Sequence, residues 1–379
     1  MVACFMQLRV TFQRYGWETR LAGMINKTVP RGSSAGGSGS QRPRGASSRA
    51  GGPESQDTPF AGLSPECVLD AASSVGLDPD GRLFALNSYE NRVYQLGSAQ
   101  GLRILKFYRP ARWSDVQILE EHRFTAELAA AELPVAAPVA ISGQTLFRHR
   151  DFRFAAFPYL RGWAPELDAP QARELLGRSI ARLHQVGARA PFERRPEIGL
   201  ERLGTEARAR VLGSDLLPDA LRARYETLSG MLIERILQLY EEIGPIGRLR
   251  LHGDCHLGNL LWNEHGPLFV DLDDCAMGPR IQDLWMLLSG PPADQQGQWA
   301  ALLSGYQQFA DFDFRELRLI EPLRALRMLH HAAWVCHRWA DPAFPRAFPW
   351  FGEVRYWEGY LTDLAAQLPA IDDPPLLAG

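Results

Sequence analysis

The chain of 379 residues carries 41 basic and 44 acidic side chains, a net charge of −3, with 46% hydrophobic and 10% aromatic residues. That is ample apolar mass for two lobes of ~100–200 residues each, and it excludes global disorder and argues against a protein whose main partner is a nucleic-acid backbone. Only two of the basic residues are lysine, Lys27 and Lys106; arginine serves elsewhere as surface charge and carboxylate partner, so a retained lysine asks for a reason.

Residues 1–57 differ from the rest, with eight basic residues against three acids, a net +5 that leaves the remainder at −8. Gly, Ser, Ala and Arg dominate 31–52, which have no apolar face to bury, so 1–57 are expected to be a disordered basic extension. An Arg-rich, nearly acid-free 1–27 admits a transit peptide or a nucleic-acid or lipid contact. The plainer expectation is an unstructured extension, with Met24 or a later site as the real start. Ordered structure is expected from about Pro59, with a helix at 64–75 capped by Ser64. Strands follow at 92–96, 102–108, 139–142 and 152–158, interrupted by a helix at 114–132 with a Ser114 N-cap. Beyond the Gly/Pro break at 161–165 the pattern is mainly helical, at 170–187, 217–242, 281–288, 296–310, 314–340 and 354–367, with one β-rich island at 259–272. The expected architecture is α+β and bilobal: a small β-rich lobe over 58–160 and a larger helical lobe over 161–375.

Five cysteines without CxxC or CxH spacing read as reduced thiols, neither a disulfide framework nor a zinc site. No window approaches the ~18 apolar residues of a membrane span. A cytoplasmic protein with no membrane or nucleic-acid partner, monomeric, is the expectation.

The stretch LRLHGDCHLGNLLWNEHGPLFVDLDD, residues 249–274, concentrates the chemistry. Asp254 is followed five residues later by Asn259. Apolar segments 260–261 and 268–270, turning at 264–266, read as a hairpin whose open end brings Asn259 and Asp271 together, with Asp254 just before it. Three oxygen-bearing side chains converging on one pocket suit Mg²⁺, which takes hard oxygen ligands and completes its shell with phosphates and water. The order also matches the phosphoryl-transfer template: an Asp that receives the hydroxyl proton, an Asn that holds metal, and a later Asp on the metal bridging the phosphates. Each residue alone would sooner cap a turn; the set together points to function. His252 and His256 read as braces of this loop. Cys255 is a candidate oxidation-sensitive thiol, and Cys255 and Cys275 as metal ligands are disfavoured.

Phosphate transfer also needs a cation over the nucleotide. Lys106, on the apolar strand RILKFY after the turn at 97–101, stands where a kinase pairs its lysine with α/β-phosphates and a Glu on the next helix. Glu120 and Glu121 are the candidates. Glu121 is favoured because Phe124 and Leu128, at +3 and +7, share its face. The plain alternative for Lys106 is an edge-strand gatekeeper, a role arginine would fill equally well here. The loop 87–93 lacks GxGxxG, and Ser88 is a weak phosphate contact by itself. On the helix at 314–340, His330, Trp334 and His337 share one face, and a core role is favoured over an acceptor groove. Asp283 is either a brace for the metal loop or a surface cap.

These residues resemble the aminoglycoside-phosphotransferase-like branch of the protein-kinase-like fold, and within it the bacterial stress-response Ser/Thr kinases. The matching stretches are LNSYENRVYQ (86–95), LKFYRPARW (105–113), QILEEHRF (117–124), LPVAAPVA (133–140), LHGDCHLGN (251–259), FVDLDD (269–274), QDLWMLL (282–288), IEPLRALR (320–327) and RWADPAFP (338–345). The resemblance implies Asp254 as proton acceptor, Asn259 and Asp271 as Mg²⁺ ligands, and Ser88 as an ATP contact. It implies an ATP-dependent kinase acting on protein Ser/Thr under stress; spacing alone does not show the protein acceptor. The alternatives are a small-molecule (amino-alcohol, sugar or aminoglycoside) phosphotransferase and a nucleotide-binding pseudokinase scaffold.

Overall fold

The structure, a computed structural model, describes residues 59–86 and 88–376. The expected basic extension at 1–57 lies outside the described residues. Helix α1 (Pro65–Ser74) starts at Ser64, whose Oγ accepts from the Cys67 N–H at 3.3 Å. It covers one face of an antiparallel sheet of β1 (Pro79–Leu86), β2 (Arg92–Ser98), β3 (Arg103–Phe107), β4 (Phe147–His149) and β5 (Phe152–Pro158), in the order β1-β2-β3-β5-β4. Between β3 and β4 lies α2 (Asp115–Ala130), closed by a capping box of Ser114 and Gln117.

The period of two along these strands decides which side chains meet the cavity. Leu96, Leu105, Phe107, Phe154 and Ala156 pack with Cys67, Val68 and Ala71 of α1 into a separate small core. Lys106 pairs in register with Val93 and Ala155, and Ile104 with Gln95 and Phe157. That row faces the opposite way, into the cleft.

The larger part comprises α3 (Pro170–Gly187), a π-helical turn (Glu201–Thr205), α4 (Glu206–Leu212), α5 (Asp219–Ile243), β6 (Leu249–Leu251), β7 (Leu260–Asn263), β8 (Gly266–Phe269), β9 (Ala276–Gly278), α6 (Gln282–Trp285), α7 (Pro292–Tyr306), α8 (Ile320–Arg338), α9 (Ala343–Ala347) and α10 (Val354–Asp372). One core built around Trp285, Trp299, Trp357 and Tyr360 runs beneath these helices. β7 and β8 form the expected hairpin, and β6 pairs with β9. The two parts join where Val135 and Trp163 bridge to Phe269 and Trp262 of that hairpin.

The α+β, two-part architecture is as the sequence indicates, with local differences. Residues 139–142 are no strand: Val139 donates one bond to the Ala156 carbonyl, after which Ile141 and Gln144 exchange hydrogen bonds in a turn that leads the chain away from β5. The expected helix 281–288 is regular only over Gln282–Trp285, and that at 314–340 opens with a 3₁₀ stretch, Phe314–Leu319. β1, β4, β6 and β9 have no counterpart in the sequence reading.

Candidate active site

A cavity of about 580 Å³ separates the sheet from the helical part. Its walls include Ser88, Lys106 and Glu121 from the sheet side and Asp254, Asn259 and Asp271 from the other. The hairpin explains the second group: the Val270 N–H donates to the Asn259 carbonyl at 3.1 Å, closing the open end of β7 and β8 so that Asn259 and Asp271 emerge side by side. Asp271 turns out of the strand in a left-handed conformation (φ 58°), which Asp tolerates better than most residues.

Lys106 sits at the junction. Its Nζ lies 3.6 Å from Glu121 Oε1, 3.1 Å from Asp271 Oδ1 and 3.0 Å from Asp273 Oδ1, nearly sealed from solvent. Burial disfavours its charge, but Asp271, Asp273 and Glu121 hold the ammonium well above its ordinary pKa. Burial pushes the Glu121 carboxyl up to about 7 against the pull of Lys106. The neighbouring Glu120 faces away from the lysine, and its carboxylate accepts the backbone N–H groups of Glu193, Arg194 and Arg195 at 2.8–2.9 Å. The Arg195 guanidinium then donates to the Asp273 and Cys275 carbonyls. One helix thus sets both the lysine and, through this loop, the backbone of the Asp-rich turn.

Asp254 is buried on a loop held from beneath. Asp283 Oδ2 and Oδ1 accept the backbone N–H groups of His252 and Gly253, both at 2.8 Å, and His184 lies 3.3 Å from the same carboxylate. Asp283 is fully buried, so it braces the loop and caps no surface helix. Gly253 has φ +85°, and a Cβ there would overlap the Asp274 carbonyl. His252 Nε2 pairs with the Val270 carbonyl at 3.1 Å, and His256 Nδ1 accepts from the Gly258 N–H at 2.9 Å, so both histidines brace. Asn259 Nδ2 donates to the Asp254 carbonyl at 3.0 Å. Burial opposes charge on Asp254, but Arg327 Nη1 at 2.7 Å and His256 at 3.3 Å hold its carboxylate well below the usual range.

Cys255 and Cys275 are fully buried, and burial pushes both thiols up, Cys275 to about 12. A protonated, inaccessible thiol is a poor target for oxidants, which corrects the expectation for Cys255. His330 and Trp334 line the cavity, whereas His337 is absent from its lining. His337 is exposed, so this face of α8 runs from the cleft to solvent, which corrects the expected core role.

Several residues of the site lie within the motifs quoted above but are assigned no role there. Asp273 is buried against Lys106, Arg112 and Asn91, and burial of its charge is outweighed by Arg112, Lys106 and Arg195, which lower its pKa. Glu90 gathers Arg109, Arg112, Arg338 and the Trp334 indole N–H. Arg327 pairs with Asp254 from 73 residues away.

The donor chemistry around Asn259 and Asp271 is that of a hard cation. Among the described residues no three His, Cys, Asp or Glu side chains form a ready metal cage, so Mg²⁺ here would draw remaining ligands from phosphates and water, as it does in nucleotide sites.

Known proteins resemble this chain in sequence and in fold. Residues 83–320 match the phosphotransferase enzyme family, APH. The chain is 45% identical over 318 residues to stress response kinase A of Escherichia coli O157:H7, covering 84% of this chain and 96% of that protein. It is 44% identical, with the same coverage, to a protein of Salmonella typhimurium LT2 called serine/threonine protein kinase RdoA. Among solved structures, an amicoumacin kinase in complex with AMP-PNP and Ca²⁺ shares the fold, with a TM-score of 0.64 at 19% identity over 83% of this chain and 95% of that one. The chain belongs to the phosphotransferase enzyme family and, with the stress response kinases as its relatives, is a kinase.

Proposed function

We propose that this kinase transfers the γ-phosphoryl group of ATP to a Ser or Thr hydroxyl of a protein, in the cytoplasm and in a stress setting. The observation that carries the transfer chemistry is the convergence of Glu121 and Asp271 within 3.6 Å of the Lys106 ammonium, on the cavity that also holds Asp254. The protein acceptor and stress setting are supported by the names of the relatives. On this reading the sheet unit over 58–160 covers the nucleotide and 161–375 carries the catalytic loop.

In this reading Ser88 and Lys106 hold the phosphates, and Glu121 fixes the lysine. Mg²⁺ on Asn259 and Asp271 would neutralise charge developing on the phosphate oxygens. The acceptor hydroxyl approaches Asp254; its oxygen bonds to the γ-phosphorus, the bond to the β,γ-bridging oxygen breaks, and ADP leaves with that electron pair. The proton passes to Asp254. Because Arg327 and His256 keep Asp254 weakly basic, its main work is to aim the hydroxyl and take the proton late, as suits a loose transition state.

A second reading, a small-molecule acceptor, is supported by the amicoumacin kinase that shares the fold. Incubation with labelled ATP and Mg²⁺ against a generic protein and a metabolite panel separates the two. Label on protein Ser/Thr supports the proposal, and label only on a metabolite replaces it. No label on any acceptor, with nucleotide bound, would leave a binding scaffold.

A further inference from the structure

The cations of the cavity are not equally occupied. Lys106 holds three carboxylates, Arg112 holds Asp273 and Asp274, and Arg327 holds Asp254. Arg202, on the π-helical turn Glu201–Thr205, also lines the cavity, yet among the described residues no carboxylate lies within ion-pair distance of it. The carboxylate acting on it most strongly, Asp274, is already held by Arg112 at 2.6 Å. Burial pulls the Arg202 guanidinium down from its ordinary pKa. A desolvated cation without a counter-ion is costly to the fold, and that cost is relieved by an anion from outside.

The position of Arg202 distinguishes acceptor from nucleotide. The sheet end of the cavity, with Val93, Ile104 and Phe157, is apolar and stands beyond Lys106. Arg202 is at the other end, where the turn Glu201–Thr205 packs on α8. There it acts on the same His330 imidazole as Arg327, the partner of Asp254. His330 itself is kept neutral by burial, with a pKa near 3, so it adds no competing charge. Arg202, Arg327, His330 and Asp254 all line this one cavity, so the guanidinium shares its helical side with the group that receives the acceptor hydroxyl on the reading above. Its fork of donors suits a carboxylate or phosphate.

The geometry points to Arg202 as a specificity-determining residue that binds an anionic group next to the hydroxyl being phosphorylated. The inference rests on the phosphotransfer reading above; with a protein acceptor it means a Ser or Thr flanked by an acidic residue, and with a small molecule a hydroxy acid. No group is transferred to Arg202. It orients the acceptor and leaves the chemistry to Asp254.

The test compares kcat/KM for one serine peptide carrying Glu, Gln or Lys beside the serine, and for glycerate, glycerol and ethanolamine. The expected result is about a tenfold preference for the Glu peptide over the Gln peptide, the worth of one charge-assisted contact. The ratio should fall to about one in Arg202→Gln and survive in part in Arg202→Lys. Being a ratio within one enzyme preparation, it is insensitive to how much of a variant folds. Label confined to small molecules, with glycerate preferred, sustains the anion site and overturns the protein-acceptor reading. Preference for the Lys peptide or ethanolamine, an acidic preference untouched by Arg202→Gln, or no labelled acceptor would each overturn the inference. So would an equal rise in KM for ATP with every acceptor, which would put Arg202 on the nucleotide.

Discussion

At the scale of single residues, the site depends on charges that are strong because they are buried in opposing sets. Removing the Asp254 or Asp271 carboxylate should lower phosphotransfer by ~10²-fold or more, the usual scale for losing a general base or a metal ligand; initial rates with labelled ATP and Mg²⁺ measure it, and wild-type turnover in either alanine variant would reject the assigned role. Lys106→Arg is the more pointed case. The ammonium is nearly sealed among three carboxylates, and a longer planar guanidinium does not fit a slot shaped for a compact charge. At least a tenfold rise in KM for ATP is expected, with an unchanged circular dichroism spectrum; full activity would show that lysine is retained there for no chemical reason. Much of this was legible in the sequence. The Asp254–Asn259 spacing and the hairpin are local, and Glu121 could be chosen over Glu120 because it shares a helical face with Phe124 and Leu128. Glu90, Arg202 and Arg327 were not legible, since their environments are made by residues tens to hundreds of positions away and leave no periodic trace.

At the scale of elements, short segments do much of the positioning, and short segments are what periodicity reads poorly. β6 and β9 have three residues each, too few to show alternation, and β1 begins Pro-Asp-Gly, which reads as a turn. Long α3 and α5 carry 3.6-residue patterns and fall close to their expected bounds. The four-residue α6 shows the consequence. Its first turn is held by Glu316, fully buried, which accepts the Ile281 N–H at 2.9 Å, and α6 in turn carries Asp283 under the loop that bears Asp254. Burial pushes Glu316 up to about 7. A folded-state pKa above the unfolded value of 4.5 means that this stability is complete below about 4.5 and is lost as pH rises through about 7. Glu121 shifts the same way. Urea midpoints measured from about pH 4.5 to 8 should therefore fall, each group contributing a slope of up to about 1.4 kcal/mol per pH unit. Glu316→Gln should flatten part of that fall, and an unchanged profile would contradict it.

At the scale of the molecule, the sheet and the helical part are fastened across the mouth of the cleft by Glu90. Its carboxylate meets Arg109 at 3.1 Å, Arg338 at 2.8 Å and the Trp334 indole at 2.6 Å, while Arg109 also holds Asp341 at 2.6 Å. Burial works against charge on Glu90, and Arg112, Arg338 and Arg109 lower its pKa nonetheless. Replacing it by Gln leaves buried guanidinium groups short of a counter-charge, so Glu90→Gln should destabilise by about 3 kcal/mol. Hydrogen exchange should rise first in 88–95, where the loop before β2 carries Glu90 and Asn91. Faster exchange spread evenly through α5 and α10 would show a global effect and refute a local clasp.

The scarcity of lysine has a practical corollary in proteolysis. An endoproteinase that cuts only after lysine has two targets in the whole chain, one in the basic N-terminal stretch and one in the middle of β3. The second bond is flanked on both sides by paired strands and can be cleaved only when the sheet opens. Its cutting rate is then a single-bond clock for the opening of the small unit, and on the proposed reading ATP, seated against Lys106, should slow that clock by mass action.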